Sequence, residues 1–527
     1  MINNFPLDEP RSGQKAVLEA IEKAFEKGYK NVLLEAPVGS GKSAIAITVA
    51  QWFRSIDSKP THILTPRKSL QDQYWEDFHH LDLCMMKGRS AYPCTFDKSE
   101  KEYQVVSQSI KSGGRHIFSG VTCADAPCTT KHKIKPICTK NGQKPCPYQL
   151  AIGAAQEKPT IVHNLHSFIF QAYFGENFDV REVMIIDECH EIEGIIRGFA
   201  TKVISVPLIS RPPQEWTKLS NWVLWFKTFT NNFSTTVSAT TGISPRDKFE
   251  ETLDELLELV QYGFEEGFVV DIQEERGKTS FEFIPDNISG LTDRFLLSFG
   301  KKRLLMSGTI YDKDTFCKAN GLVPSETCFL RIGSTMPVNT RPIYMKKKYM
   351  VDTSHRHWND NFKDMVKNIL TVFEAFPDVK GLIHTPSYKA SLELDLALKG
   401  TGRIMVHDAR NFAEVLEKFY QDPKPKVLLS PICQQGVDFK YDRARFQIVL
   451  RVPYLNTSSK FIERKVKKDF SWYNHQAMVI FGQQIGRINR ADDDAGVTVL
   501  MDSRFPGFIA KNRTKFPKWL LDAIIKD

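Results

Sequence analysis

No stretch of the 527 residues is both long and apolar enough to cross a bilayer. The start, Met1-Ile2-Asn3-Asn4-Phe5-Pro6, lacks a basic segment followed by an apolar core. No secretory signal is read there, and an intracellular, cytoplasmic setting with no membrane contact is expected. No internal repeat or low-complexity tract stands out. Cysteine is sparse outside one region: of ten cysteines, Cys84, Cys94, Cys123, Cys128, Cys138 and Cys146 fall within residues 84–146, where apolar residues are few. A segment so poor in apolar side chains cannot build its own core, and thiolate–metal bonds are a ready substitute in a reducing compartment. The paired C-x2-C spacing of a zinc ribbon is missing as well. Four thiolates suit an iron-sulfur cluster as well as zinc, and buried unligated thiols are the plainer alternative.

What is present begins with Glu35-Ala36-Pro37-Val38-Gly39-Ser40-Gly41-Lys42-Ser43, set between the apolar run Val32-Leu33-Leu34 and the helix-like Ala44-Ile45-Ala46-Ile47-Thr48-Val49-Ala50. Strand, glycine loop and helix in that order make a phosphate cradle. Glycines remove the Cβ atoms that would block the approach of backbone N–H groups, and the positive end of the helix faces the anion. Lys42 is expected to reach the β- and γ-phosphates of ATP and Ser43 to hold magnesium. Ala36 stands where the common pattern has its first glycine.

A chain of this length predicts three or four structural units. Lys and Arg number 71 against 62 Asp and Glu, a formal charge of +9 that favours an acidic partner such as nucleic acid over an acidic surface, unless it serves solubility alone. The apolar strand Val183-Met184-Ile185-Ile186 ends in Asp187-Glu188-Cys189-His190. Asp187 suits magnesium, and Glu188 suits the orientation and deprotonation of an attacking water. Arg67 and Lys68 follow the strand His62-Ile63-Leu64-Thr65 on the expected ligand edge of the sheet, where they could hold a nucleic-acid backbone.

Leu304-Leu305-Met306-Ser307-Gly308-Thr309-Ile310 is read as a strand ending in small hydroxyl residues. Further apolar strands at 381–384, 427–430, 446–450 and 497–501 predict a second parallel α/β domain. Gln483-Gln484-Ile485-Gly486-Arg487-Ile488-Asn489-Arg490 is read as placing Arg487 and Arg490 three residues apart on one helix face, poised to neutralise a transferring phosphoryl group. Arg490 is the preferred finger, with Arg487 assisting.

Asp187-Glu188-Cys189-His190, preceded by a cysteine-rich insert, resembles the XPD/DinG-type iron-sulfur helicases of superfamily 2, whose box more usually has Ala at Cys189. Lys87-Gly88-Arg89-Ser90-Ala91-Tyr92-Pro93-Cys94 and Cys146-Pro147-Tyr148 look like the first and last ligand regions of that family's cluster. The resemblance implies Cys94, Cys123, Cys128 and Cys146 as ligands of a four-iron four-sulfur cluster, with Cys138 as the alternative. It implies two RecA-like α/β motor domains, divided as 1–85, 151–205 and 286–330 for the first and 331–527 for the second. The cluster insert is expected at 86–150 and a mostly helical, Arch-like insert at 206–285. The insert's aromatics Trp222, Trp225, Phe226 and Phe229 are expected in its core rather than stacked on bases.

Arg11 and Gln14, just ahead of the phosphate loop, are placed as an adenine-contacting pair, as in many helicases. Gln483 and Asp438 join the nucleotide contacts. His384 and Ser387, in a segment resembling a backbone-contacting motif, are assigned to nucleic acid. The implied activity is ATP-dependent DNA unwinding, 5′ to 3′ along single-stranded DNA at a fork or duplex, by a monomeric motor. A zinc-containing RNA-directed or remodelling ATPase and a catalytically dead nucleic-acid-binding fold are the alternatives.

Overall fold

The computed structural model describes the chain except residues 95–121, 125–145, 208–215, 236–243, 262, 264–266, 276–277, 434–436 and 492. Helix α1 (Ser12–Glu26) leads into strand β1 (Asn31–Glu35), all five of whose residues are buried. The phosphate loop and helix α2 (Lys42–Asp57) follow directly. Then come β2 (Thr61–Thr65), β3 (Leu83–Met86), β4 (Thr160–Asn164) and β5 (Arg181–Asp187). Helix α3 (Ile192–Ala200) leads into β6 (Lys202–Pro207), helices α4 (Leu219–Lys227) and α5 (Pro245–Gln261), and the hairpin β7 (Phe268–Glu275) and β8 (Lys278–Pro285). The chain then returns to β9 (Gly300–Ser307) and β10 (Thr327–Arg331).

Seven of these strands form one parallel sheet in the order β10-β1-β9-β5-β2-β4-β3. A parallel strand covered on both faces reads as an unbroken apolar run, which is why Val32-Leu33-Leu34 and Val183-Met184-Ile185-Ile186 do not alternate. One face packs on Leu18, Ile21, Ile45 and Val49 of α1 and α2. The other packs on Phe168, Ile192 and Ile196.

The second sheet takes β11 (Ile343–Tyr344), β12 (Gly381–His384), β13 (Ile404–Val406), β14 (Val427–Ser430), β15 (Phe446–Val449), β16 (Val497–Leu500) and β17 (Ile524–Ile525). Its order is β13-β14-β12-β15-β16-β11-β17, again all parallel. Gly381 is required by packing, because a Cβ there would lie 2.2 Å from the Phe446 ring. Helices α6 (Lys460–Lys468) and α7 (Phe470–Ile485) lie between β15 and β16. The two expected α/β domains are therefore present.

The expected mostly helical insert is corrected. It is a three-stranded antiparallel sheet, β6-β8-β7, carrying α4 and α5. The strand signal lies in Phe268-Val269-Val270 and Phe281-Glu282-Phe283-Ile284, short apolar stretches next to an acidic helix. The aromatics do form its core: Trp222 and Phe226 are buried against Phe281 and Phe283, with ring centroids 5.2–6.0 Å apart.

On the adjacent strands β2 and β4, two buried histidines meet: His62 Nδ1 and His163 Nε2 are 3.2 Å apart. Burial, reinforced by the Arg181 charge and opposed by a bond to the Asp179 carbonyl, holds His62 down to about 3. Burial and the neighbouring His62 likewise push His163 well below the ordinary value. An unfolded chain protonates both rings near pH 6.5, whereas the folded chain does not. The His62 contribution is thus complete above pH 6.5 and is lost as pH falls from there toward 3, by about 1.4 kcal/mol per pH unit, and His163 acts in the same direction. The melting temperature is expected to drop between pH 7.5 and 5, and to drop less in a His62→Phe chain; equal declines in both would discard the histidine pair as the cause.

Candidate functional site

The phosphate loop leaves β1 at its carboxyl end and turns through Gly39 (φ +80°) and Gly41 (φ +75°), a left-handed backbone open to glycine without strain. A Cβ at Gly41 would meet the Gln14 amide at 2.2 Å. Gln14 is there because it supports the loop: its Nε2 donates to the Ser40 carbonyl at 3.1 Å, and its Oε1 accepts from the Arg11 backbone N–H at 2.9 Å. The Arg11 guanidinium donates to the Gly39 carbonyl at 2.6 Å. Ser40 Oγ closes the turn onto the Pro37 carbonyl at 2.7 Å. The pair assigned to adenine thus braces the loop at Gly39 and Ser40, while Pro37 and Val38 line the cleft beside Lys42.

Opposite Lys42 stands the acidic box. Lys42 Nζ lies 3.8 Å from Glu188 Oε1 and reaches the Ala36 carbonyl at 3.5 Å. Asp187 takes bonds from the Glu188 backbone N–H at 2.9 Å and the buried Tyr74 hydroxyl at 3.3 Å. Ser43 also bonds the Tyr74 hydroxyl, so Ser43 and Asp187 meet around one side chain. Glu188 itself has a left-handed backbone, φ +51°, a strained conformation for a non-glycine residue that aims its carboxylate back at the loop. Burial raises Asp187 above the ordinary carboxylate range. Burial acts on Glu188 in the same direction, but the Lys42 charge and the bond from His190 outweigh it and hold Glu188 ionised, below its ordinary value.

From this box a hydrogen-bonded chain crosses to the second sheet. His190 Nδ1 lies 3.3 Å from Glu188 Oε2 and 2.8 Å from Ser307 Oγ. Ser307 Oγ takes the Thr309 backbone N–H at 3.1 Å, and Thr309 Oγ1 takes Gln483 Nε2 at 2.8 Å. Gln483 Oε1 receives the Arg487 guanidinium at 2.8 Å, and the same guanidinium donates to the Val437 carbonyl at 2.9 Å. Lys42, Glu188, Gln483, Arg487 and Arg490 line one cleft between the sheets.

The expectation that both arginines ride on one helix face is corrected. Helix α7 stops at Ile485, Gly486 caps it, and Arg487 and Arg490 lie in the irregular segment beyond, where Asn489 is also left-handed. They still converge on the cleft. Burial, with the like charges of Arg490 and Arg67, brings Arg487 down to about 9. Arg490 is held by Asp438, 3.4 Å away, and by the Gly486 carbonyl.

The residues assigned to nucleic acid are not brought together. Arg67 pairs with Glu191 at 2.6 Å and lines the nucleotide cleft. Lys68 is exposed at the start of the next helix. His384 is corrected: it is buried at the end of β12, 3.1 Å from Gln447, with its pKa lowered to about 4 by burial, so it presents nothing to a strand. Ser387 is exposed and caps the following helix. Sequence reasoning passed over Tyr74, a lone tyrosine in an amphipathic helix with no local signal, and the Arg331–Glu35 pair at 2.6 Å that fixes the base of the loop.

In the cysteine-rich region, Cys123 Sγ and Cys146 Sγ are 3.8 Å apart and buried, with Cys94 close enough to influence Cys123. Burial and these two thiols push Cys123 up to about 12. Cys128 and Cys138 lie outside the described residues. Among the described residues, no group of three or more His, Cys, Asp or Glu side chains is arranged to hold a metal ion.

Residues 369–523 match the family described as Helicase C-terminal domain, and residues 7–241 match Type III restriction enzyme, res subunit. The XPD helicase subunit of the general transcription and DNA repair factor IIH from Schizosaccharomyces pombe is 31% identical over 94 residues, 16% of this chain and 12% of that protein. The ATP-dependent DNA helicase YoaA of Escherichia coli is 25% identical over 231 residues, 37% of this chain and 35% of that protein. A solved XPD helicase superposes over 99% of this chain and 100% of its own, with a TM-score of 0.63 at 14% identity. S. tokodaii Xpd4 covers 98% and 100% with a TM-score of 0.59 at 15% identity.

The chain is thus similar in parts of its sequence, and in its fold, to XPD/DinG-type superfamily 2 helicases. The aligned segments cover only 12% and 35% of these two relatives' lengths, and at such identities the structural likeness speaks for the fold. No described helix of the chain is long and apolar enough to cross a membrane. Gly41→Ala, which meets both the left-handed backbone and Gln14, is expected to weaken binding of a fluorescent ATP analogue by at least about tenfold, ~1.4 kcal/mol. Unchanged affinity would remove the loop from the nucleotide site.

Proposed function

We propose that this chain is an ATP-dependent DNA helicase that moves 5′ to 3′ on single-stranded DNA and opens forks or duplex. The observation that carries it is the cleft in which Lys42 and Glu188 from one sheet face Arg487 and Arg490 from the other, joined through Thr309 and Gln483. ATP enters with its phosphates on the backbone N–H groups of residues 39–43, and Lys42 moves from Glu188 to the β- and γ-oxygens. Ser43 and Asp187 are the oxygen ligands that suit magnesium, which supplies charge neutralisation at the phosphates. Glu188, freed from Lys42 and kept ionised by His190, orients the attacking water and accepts its proton. Arg490 and Arg487 stabilise the charge that develops on the transferring group.

Those two arginines come from the second sheet, so nucleotide binding favours closure and product release favours opening. Alternating closure and opening advances the strand. The thiols of Cys94, Cys123 and Cys146, with Cys128 or Cys138, fit a four-iron four-sulfur cluster by chemistry, since soft thiolates in a core-poor segment are its usual donors. That cluster would supply folding free energy to the insert. As a monomeric motor, the chain needs no second copy to complete the cleft.

The test measures ATP hydrolysis with and without single-stranded DNA, and displacement from duplexes with a 5′ or a 3′ tail. Hydrolysis stimulated by DNA, unwinding from the 5′ tail and loss of both in Lys42→Ala are expected. Stimulation by RNA alone, or unwinding from the 3′ tail, would overturn the substrate or polarity. Iron and sulfide near four each per chain, falling in Cys128→Ser, are expected from protein purified without oxygen; stoichiometric zinc would replace the cluster with a zinc site.

A further inference from the structure

The cleft that holds Lys42 and Glu188 extends past the phosphate loop to the segment joining the two sheets and to the edge of the second: Ser334, Met336, Arg341, Ile343 and Trp519 line it as well. With Arg11 and Gln14 bonded to the Gly39 and Ser40 carbonyls, these residues become the candidates to meet the base of a nucleotide. Met336 and Ile343 are buried and apolar. The polar groups beside them are donors.

Trp519 lies on the short helix Lys518–Asp522 and is half-buried, but its Nε1 is fully buried and has no hydrogen-bond partner among the described residues. Arg341 is 9% exposed. Its Nε and Nη1 donate to the Met336 and Trp519 carbonyls at 3.3 and 2.7 Å, and its guanidinium carbon lies 5.3 Å from the centre of the Trp519 ring. It forms no ion pair with a carboxylate among the described residues. An indole N–H and a guanidinium can only donate, and a buried N–H without a partner marks a place where an acceptor from outside belongs.

A flat, apolar-faced group with acceptors on its edge, carried by a chain of phosphates, is a purine nucleotide. Of the ring acceptors that adenine and guanine share, N3 is crowded by the ribose and N7 is open. Guanine sets O6 beside N7, a pair of acceptors that matches a pair of donors, whereas adenine has an amino group at that position. We propose that Trp519 and Arg341 form the base subsite of the nucleotide cleft, with Trp519 Nε1 donating to purine N7 and Arg341 facing the 6-position, so that guanine nucleotides bind at least as tightly as adenine nucleotides. This rests on the nucleotide site of the helicase reading above. Base selection then belongs to the second domain, and Arg11 and Gln14 serve the loop.

The test is calorimetric titration of the full chain, with magnesium, by ADP, GDP, CDP, 7-deaza-ADP and tripolyphosphate. GDP is expected to bind as tightly as ADP or more so, and CDP and 7-deaza-ADP about tenfold more weakly than ADP, the loss of one hydrogen bond to a buried donor. Trp519→Phe, which keeps a ring and removes the donor, is expected to weaken ADP about tenfold with no further loss for 7-deaza-ADP, because both changes delete the same bond. Arg341→Lys is expected to weaken GDP more than ADP. Tripolyphosphate, which has no base, is expected to bind wild type and variants alike. If a variant does not fold, the 7-deaza comparison on the wild-type chain decides alone. Equal binding of ADP and 7-deaza-ADP, GDP more than about threefold weaker than ADP, or a loss in Trp519→Phe shared by tripolyphosphate overturns the subsite. A chain that binds these ligands as expected but hydrolyses no ATP overturns the helicase reading and leaves the subsite standing; a chain that binds no nucleotide overturns both.

Discussion

A hydrogen-bonded chain only a few atoms wide makes two sheets into one site. Each sheet ends its strands at the cleft, as parallel α/β sheets do, but neither holds a complete set of groups for phosphoryl chemistry. The first supplies the lysine and the carboxylates, and the second supplies the guanidinium groups. What aligns them is the succession from Glu188 through His190, Ser307 and Thr309 to Gln483 and Arg487. Hydrogen bonds join His190 to Ser307, Ser307 to Thr309, Thr309 to Gln483 and Gln483 to Arg487, so a shift at one end is felt at the other.

The phosphate loop, the acidic box and the two parallel sheets were legible because each is a local pattern. Glycines stand where the backbone is left-handed, apolar runs stand where strands are covered on both faces, and carboxylates stand at a strand tip. What could not be read depends on partners distant in the chain. His384 looks like an exposed strand-end residue until Gln447 is seen beside it. Tyr74 gains meaning only from Asp187, more than a hundred residues later. The helix at Gln483 reads as continuing through Arg490 by residue spacing, yet Gly486 and the left-handed Asn489 end it. The insert's strands were masked by composition, since an acidic helix and a cluster of tryptophans give a louder signal than a short hairpin.

The cysteine-rich segment and the Arch-like insert solve the problem of a small appended unit in different ways. The insert packs Trp222, Phe226, Phe281 and Phe283 together, continuous with the apolar layer on one face of the first sheet, so it shares that sheet's core. Among its described residues the cysteine-rich segment shows no comparable set of rings. Its described thiols gather at Cys123 and Cys146, beside the packed pair Tyr92 and Tyr148.

The order of strands in the first sheet has a consequence for synthesis. Strand β1 sits between β9 and β10, and its Asn31 is in register with Arg303 and Thr327. Both neighbours are translated about 270 residues or more after it, a delay on the order of tens of seconds at common elongation rates. Throughout that interval an apolar strand destined for the middle of a sheet has two open edges on the ribosome. The strand that leads into the glycine loop is thus made early and paired late, and both of its edges are covered only once the chain has emerged through residue 331.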